Sequence, residues 1–194
     1  MPSMMIHLTA AYEYDADGDG LFYFANLAPD YTDARRIKDI IHLRDKPDRL
    51  SALAELKSTL DLKNPFELGW LLHLFADSRW DSAVIPKFRD SYPDGDGGEP
   101  WFTAYRKEIG RLSFALYRRE PWAAEVFAKM SAAELDDTRA LTGVLPVPLE
   151  LGWFLERVHM RHERGGAPPE FFTLEMAEGF ARDTARGFKE WLYG

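Results

Sequence analysis

The sequence contains no cysteine. A disulfide-stabilised fold and a metal site with thiolate ligands are therefore both excluded. Basic residues are also scarce, because 24 Lys and Arg stand against 32 Asp and Glu and leave a net charge of −8. A general nucleic-acid-binding protein needs a positively charged surface, so general nucleic-acid binding is not expected. If this chain binds a transition metal, the ligands must be His, Asp or Glu.

Long apolar runs are missing as well. No stretch approaches the roughly 20 apolar residues that cross a bilayer, so no transmembrane segment is expected. Residues 1–14 lack the basic segment and apolar core of a secretory signal, and a cytoplasmic location is therefore expected. A hydrophobic content of 46% over 194 residues indicates one folded globular domain.

Helix signals recur along the chain, whereas no strand pattern is evident. The segment Asn64 to Glu67 combines a capping Asn, a Pro at the first helical position and an acid placed for a capping box. Start signals and apolar spacing predict helices over residues 46–60, 66–80, 101–119, 149–163 and 173–192. We therefore predict an all-α fold, a single-domain multi-helix bundle over residues 1–194.

The predicted helix over residues 66–80 is apolar on nearly every face, which is typical of a helix in the middle of a core. His73 and Asp77 interrupt it four residues apart, so their side chains point the same way. Both groups need polar partners if they are buried. A shared metal ion would satisfy them, and so would a direct hydrogen bond between the two side chains.

Three more residues of the ligand type lie in apolar settings nearer the N-terminus. His7 stands between Ile6 and Leu8, His42 follows two isoleucines, and Asp30 follows an Ala-Pro pair. A lone histidine on an apolar face is usually a satisfied core residue. Three of them, each near an acid, favour a metal site.

In order, these residues resemble a pattern of the zinc-dependent phospholipase C family, in particular its short bacterial members. The wider superfamily includes the fungal single-strand-specific nucleases. The pattern is an early His, an apolar segment ending in Ala-Pro-Asp, a His about a dozen residues later, and a Gly-x-x-x-His-x-x-x-Asp helix followed by Trp. In this chain its elements are His7, Asp30, His42, the segment Gly69 to Asp77, and Trp80.

The resemblance implies that Asp30, His42, His73 and Asp77 bind one zinc ion. It also implies that His7 binds a second ion, with Asp77 bridging the two, and that Asp30 handles a proton in catalysis. Two departures from the family lower the expected number of ions to one or two. The secreted enzymes use a processed N-terminal residue, and they carry a further His and His-x-x-x-Glu ligand set that is not intact here. His159 and Glu163 have the spacing of that last pair but are better interpreted as a solvated helix face.

Oxygen and imidazole donors suit Zn²⁺, and they also suit Mn²⁺, Fe²⁺ or Ni²⁺. Such ions clamp phosphate and activate water. The hypothesis is therefore a metal-dependent hydrolase acting on a small-molecule or lipid phosphoester. The alternative is a non-catalytic helical binding or scaffold domain with a structural or degenerate metal site.

Several nearby charged residues can each be interpreted in two ways. Arg35, Arg36 and Lys38 could meet an anionic substrate or form one solvated helix face. Asp81 could orient a ligand or lie exposed near the end of the helix. The segment Asp15 to Gly20 matches half of a calcium loop, but an acidic surface turn is the favoured interpretation because position 26 lacks the expected Glu.

Overall fold

The computed structural model describes residues 2–30, 34–92, 100–133 and 166–194, and all regular structure within them is helical. The all-α prediction is confirmed. In chain order the elements are α1 (Met4–Tyr14), α2 (Gly20–Ala25), a 3₁₀ turn (Ala28–Asp30), α3 (Arg35–Ile41), α4 (Arg49–Thr59), α5 (Pro65–Ala83), α6 (Ile85–Ser91), α7 (Trp101–Arg119), α8 (Ala123–Ser131) and α9 (Leu174–Tyr193).

Helix starts follow the capping signals closely. Asp48 accepts hydrogen bonds from two backbone N–H groups at the start of α4, and Asn64 accepts one at the start of α5. The capping-box expectation for Glu67 is wrong, because its carboxylate accepts from the backbone N–H of Asp61 at 2.6 Å. The Asn64 N–H instead donates to the Asp61 carbonyl, so the acid braces the preceding turn.

The central helix is α5, as its apolar composition predicts. It contacts α1, α2, α4, α6 and α9. Trp70, Trp80 and Phe66 are almost completely buried along it. Around this helix, α1 packs mainly on α9, and α2 lies between α5 and α8. The apolar side chains form one core, and His7 of α1 with His73 and Asp77 of α5 are buried within it.

Two predicted features lie outside the described residues. These are the helix over 149–163 and the pair His159 and Glu163 within it. Within the described ranges, no helix is both long enough and apolar enough to cross a lipid bilayer.

Candidate metal centre

The five residues singled out in the sequence lie together in the core. They come from α1, the 3₁₀ turn, the C-terminal cap of α3 and the middle of α5. His7, His42, His73 and Asp77 are buried, and the Asp30 side chain is 11% exposed. Two groups of three residues, which share His73, each have ligand atoms within 4.8 Å of one another. The first group is His42, His73 and Asp77, and the second is His7, Asp30 and His73.

His42 stands at the centre of this cluster. Its Nε2 lies 3.1 Å from His73 Nε2, 3.4 Å from Asp77 Oδ2 and 3.4 Å from Asp30 Oδ1. Ligand atoms around a tetrahedral zinc ion, with bonds of about 2.0–2.2 Å, lie about 3.3–3.6 Å apart. The three distances from His42 Nε2 are therefore close to those between ligands of one tetrahedral ion, and His42, His73 and Asp77 form one compact group of three.

The tautomers of His42 and His73 follow from their other ring nitrogens. His42 Nδ1 lies 2.7 Å from the Lys38 carbonyl oxygen, and His73 Nδ1 lies 2.7 Å from the Asn26 carbonyl oxygen. A carbonyl oxygen only accepts hydrogen bonds, so both Nδ1 atoms carry the proton. When the rings are neutral, each Nε2 therefore presents a lone pair, and the two lone pairs face each other.

Two facing lone pairs 3.1 Å apart require a cation between them, either a proton or a metal ion. Burial, and then the neighbouring His7 ring, hold the pKa of His73 well below its ordinary value. A proton on His73 is therefore disfavoured at neutral pH. Metal-binding histidines commonly donate their second ring N–H to a carbonyl, which is the arrangement of both rings here.

His7 lies on the other side of the His73 ring. The two imidazoles stack with centroids 3.8 Å apart and planes 10° from parallel. His7 Nε2 is 3.5 Å from Asp77 Oδ1, and neither His7 nitrogen has a hydrogen-bond partner within the described residues. A buried imidazole without partners is costly, so a ligand at His7 Nε2 and Asp77 Oδ1 would satisfy groups that the fold leaves open.

Asp30 forms the edge of the cluster nearest to solvent. Lys38 Nζ contacts its Oδ1 at 2.7 Å, so Lys38 faces the site rather than solvent. Burial would raise the pKa of Asp30, but the His42 contact and the Lys38 charge outweigh it and hold the pKa well below its ordinary value. Asp30 is therefore ionised throughout the neutral pH range.

Asp77 forms ion pairs with two arginines that the sequence pattern does not single out. Arg44 Nη2 contacts Asp77 Oδ2 at 2.7 Å, and Arg49 Nη2 lies 3.6 Å from the same oxygen. Both guanidiniums also bind Asp81, which is 27% exposed at its side chain. Asp81 therefore belongs to the site and is not a free helix-end residue. The sequence feature that could have indicated this role is the position of Asp81 four residues after Asp77. A second acid on the same helix face needs basic partners of its own.

Asn26 and Gly69 position the His73 ring within the core. The Asn26 side chain donates to the Gly69 carbonyl at 3.2 Å, while its own carbonyl accepts from His73. Gly69 is required because a Cβ there would collide with the carbonyl oxygen of Phe22. The sequence does not indicate that Asn26 contacts Gly69 and His73, because these contacts depend on how α2 crosses α5.

The remaining charged candidates lie away from the cluster. Arg35 is almost fully exposed and faces Asp39, four residues along α3. In the acidic turn, Asp19 caps α2 and Asp15 accepts from the Asp17 backbone, so these acids serve local structure.

Comparison of the chain with protein-family models, with curated proteins and with solved structures finds no significant match.

Proposed function

We propose that this protein binds a divalent transition metal, in the first instance zinc, and uses it to hydrolyse a phosphoester. One observation carries the proposal: two buried imidazoles, each with its Nδ1 on a backbone carbonyl oxygen, point their Nε2 atoms at each other at 3.1 Å. Asp77 Oδ2 and Asp30 Oδ1 each lie 3.4 Å from His42 Nε2 and supply two further donors. The resemblance to zinc-dependent phospholipases C supports the same assignment from the order of the residues.

The first ion is assigned to His42, His73, Asp77 and Asp30. His7 Nε2 and Asp77 Oδ1 are the donors available to a second ion. All these donors are oxygen or imidazole nitrogen, which fits zinc and also fits Mn²⁺, Fe²⁺ or Ni²⁺. When bound, such an ion supplies Lewis acidity toward a phosphoryl oxygen and toward water.

The protein's own side chains have separate tasks in this proposal. The apolar walls around α5 exclude bulk water from the histidines, which strengthens electrostatic interactions inside the cluster. Asp30 is ionised and is the most exposed of the five residues, so it is assigned the role of accepting a proton from the attacking water. Lys38 holds this carboxylate in place.

A non-catalytic helical domain is the second candidate, and the ion pairs favour it. Lys38 on Asp30, with Arg44 on Asp77, neutralises the two carboxylates without any metal. Such a cluster would be a structural network. In that network a proton on His42 Nε2, which lies 3.4 Å from Asp30 Oδ1 and from Asp77 Oδ2, would satisfy the facing nitrogen of His73, so metal content decides between the two candidates.

Elemental analysis of protein purified without chelator tests the metal. We expect about one to two equivalents of transition metal, restored by zinc after chelator treatment and lost in His73→Ala. Less than half an equivalent that zinc does not restore would overturn the proposal.

Turnover of a bis-aryl phosphodiester tests the activity. We expect hydrolysis that chelator and His73→Ala both abolish. Full metal occupancy without turnover on a broad ester panel would favour the non-catalytic domain.

A further inference from the structure

Two guanidinium groups converge beside the carboxylate of Asp77. Arg44 Nη2 and Arg49 Nη2 lie 2.7 Å and 3.6 Å from Asp77 Oδ2. Their side chains are only 23% and 17% exposed. Partly buried arginines at this spacing present several N–H donors to one small volume, which is the arrangement that recognises oxyanions.

Asp81 holds both arginines in this position. Its Oδ2 accepts from Arg44 Nε at 3.3 Å and Nη2 at 3.1 Å, and from Arg49 Nη1 at 2.9 Å. The residues come from three elements, since Arg44 follows the end of α3, Arg49 begins α4 and Asp81 lies in α5. The arrangement is therefore built by the fold and is not a chance cluster on one helix.

One donor in this group is unsatisfied. Arg49 Nη2 is buried and has no hydrogen-bond partner within the described part of the chain. Its ion-pair partner Asp77 Oδ2, at 3.6 Å, is beyond hydrogen-bond distance, so an oxyanion oxygen within hydrogen-bond distance would be bound favourably. Because this nitrogen faces the Asp77 carboxylate, a ligand there would lie directly beside the proposed metal.

Charge indicates the sign of that ligand. The three carboxylates of Asp30, Asp77 and Asp81 balance the three basic side chains of Lys38, Arg44 and Arg49. A divalent cation added to this balanced set leaves a surplus of positive charge, which attracts an anion. Arg44 also lines an open surface depression of about 570 Å³, and its other lining residues are Arg35, Arg36, Asp39, Ile40 and Asp45.

We propose that Arg44 and Arg49, positioned by Asp81, form an oxyanion site that binds phosphate or the phosphate group of an ester next to the metal. The metal-dependent part rests on the proposed function. A cation bound to Asp77 neutralises part of the negative charge of this carboxylate, which then attracts the two guanidiniums less strongly. Their N–H groups become available to the oxyanion. Metal and phosphate therefore strengthen each other's binding, by the same factor in both directions.

The test is calorimetric titration of inorganic phosphate into protein loaded with zinc, and into the same protein after chelator treatment. We expect phosphate to bind the loaded protein at least about tenfold more tightly. In Arg44→Gln and Arg49→Gln, phosphate affinity should fall about tenfold or more, with zinc stoichiometry unchanged.

Two further variants test whether phosphate affinity depends on the position of the two arginines as well as on their charge. Asp81→Asn keeps both arginines but removes their shared acceptor, so phosphate affinity should fall while zinc stoichiometry holds. Asp81→Glu should recover part of that loss. The matched control is Arg186→Gln, which removes the same charge from an exposed pair with Asp183 on α9 and should leave phosphate affinity unchanged.

The outcomes separate this inference from the proposed function. Zinc-loaded Arg44→Gln and Arg49→Gln with wild-type phosphate affinity would overturn the oxyanion site. Equal phosphate affinity with and without zinc would overturn the coupling alone. Absence of zinc binding to the wild type would overturn the proposed function. If Arg49→Gln fails to fold, Arg49→Lys replaces it, because it keeps the charge but loses the planar pair of donors.

Discussion

At the scale of single residues, His7 and His42 occupy unequal positions. His42 Nε2 is within 3.4 Å of three other donor atoms, whereas His7 Nε2 lies 3.5 Å from one carboxylate oxygen, Asp77 Oδ1. His42→Ala should therefore abolish tight zinc binding, while His7→Ala should keep about one equivalent. Zinc stoichiometry after gel filtration measures the difference. Equal loss in both variants would contradict the assignment of the first ion.

The buried His73 ring predicts how stability depends on pH in the metal-free protein. Its pKa is held well below the ordinary value near 6.5, so the folded protein binds fewer protons than the unfolded chain below that pH. Stability should therefore fall as the pH drops from 7 to 5, by at most about 1.4 kcal/mol per pH unit for this one group. The lowered pKa values of Asp30 and Asp77 act in a more acidic range, below about pH 4.

Urea unfolding with chelator at several pH values measures this dependence. His73→Gln removes the titrating ring and should flatten the profile between pH 7 and 5. A wild-type profile without slope in that range, or an identical slope in the variant, would contradict the prediction.

Leu43 adopts a backbone conformation that normally belongs to glycine. Its φ is 56°, and it ends α3 with hydrogen bonds from its own N–H to Ile40 and from the Arg44 N–H to Asp39. This turn allows the chain to reverse so that Arg44 follows His42 into the site. A left-handed conformation costs a non-glycine residue about 1–2 kcal/mol.

Leu43→Gly should therefore be more stable than Leu43→Ala by about 1 kcal/mol, the reverse of the order inside a helix. Both variants lose the same packing of the leucine side chain, so their comparison isolates the backbone. Unfolding free energies from urea titration decide the point. An alanine variant as stable as the glycine variant would show that the turn carries no strain.

At the scale of the helices, the crossing of α2 and α5 determines the depth of His73. Gly69→Ala would push its new methyl group into the Phe22 carbonyl, so the helices must separate. We expect a loss of about 1–3 kcal/mol in the free energy of unfolding, together with weaker zinc binding. Gly110→Ala on α7 is the matched control, because a Cβ there meets nothing within 4 Å. It should be neutral or stabilising by up to about 1 kcal/mol.

The helices were easier to predict than the site, for a physical reason. Capping residues and apolar spacing act locally, so Asp48, Asn64 and the apolar α5 are visible in the sequence. The pair His73 and Asp77 is visible too, because helix geometry alone puts them on one face. Arg49, by contrast, enters the site only because α4 packs on α5, and nothing within its own segment reports that contact.

At the scale of the whole molecule, the four donors of the first ion come from three separate elements. An unfolded chain does not hold them together, so metal binding energy adds to folding energy. Zinc at one hundred times its dissociation constant should stabilise the protein by about 2.7 kcal/mol. That corresponds to a rise in melting temperature of roughly 5–10 °C.

Thermal unfolding followed by circular dichroism, with zinc and with chelator, measures the shift. His73→Ala should show the same melting temperature under both conditions. An unchanged wild-type melting temperature would mean that zinc does not bind the folded state preferentially.

The packing of α1 on α9 affects when the site can form. All the proposed ligands lie within the first 77 residues, yet α1, which carries His7, makes its most extensive contacts with residues 174–193. During translation these residues emerge long after the ligands do. A nascent chain therefore cannot pack α1, with its His7, against α9 until well after the proposed ligands have emerged.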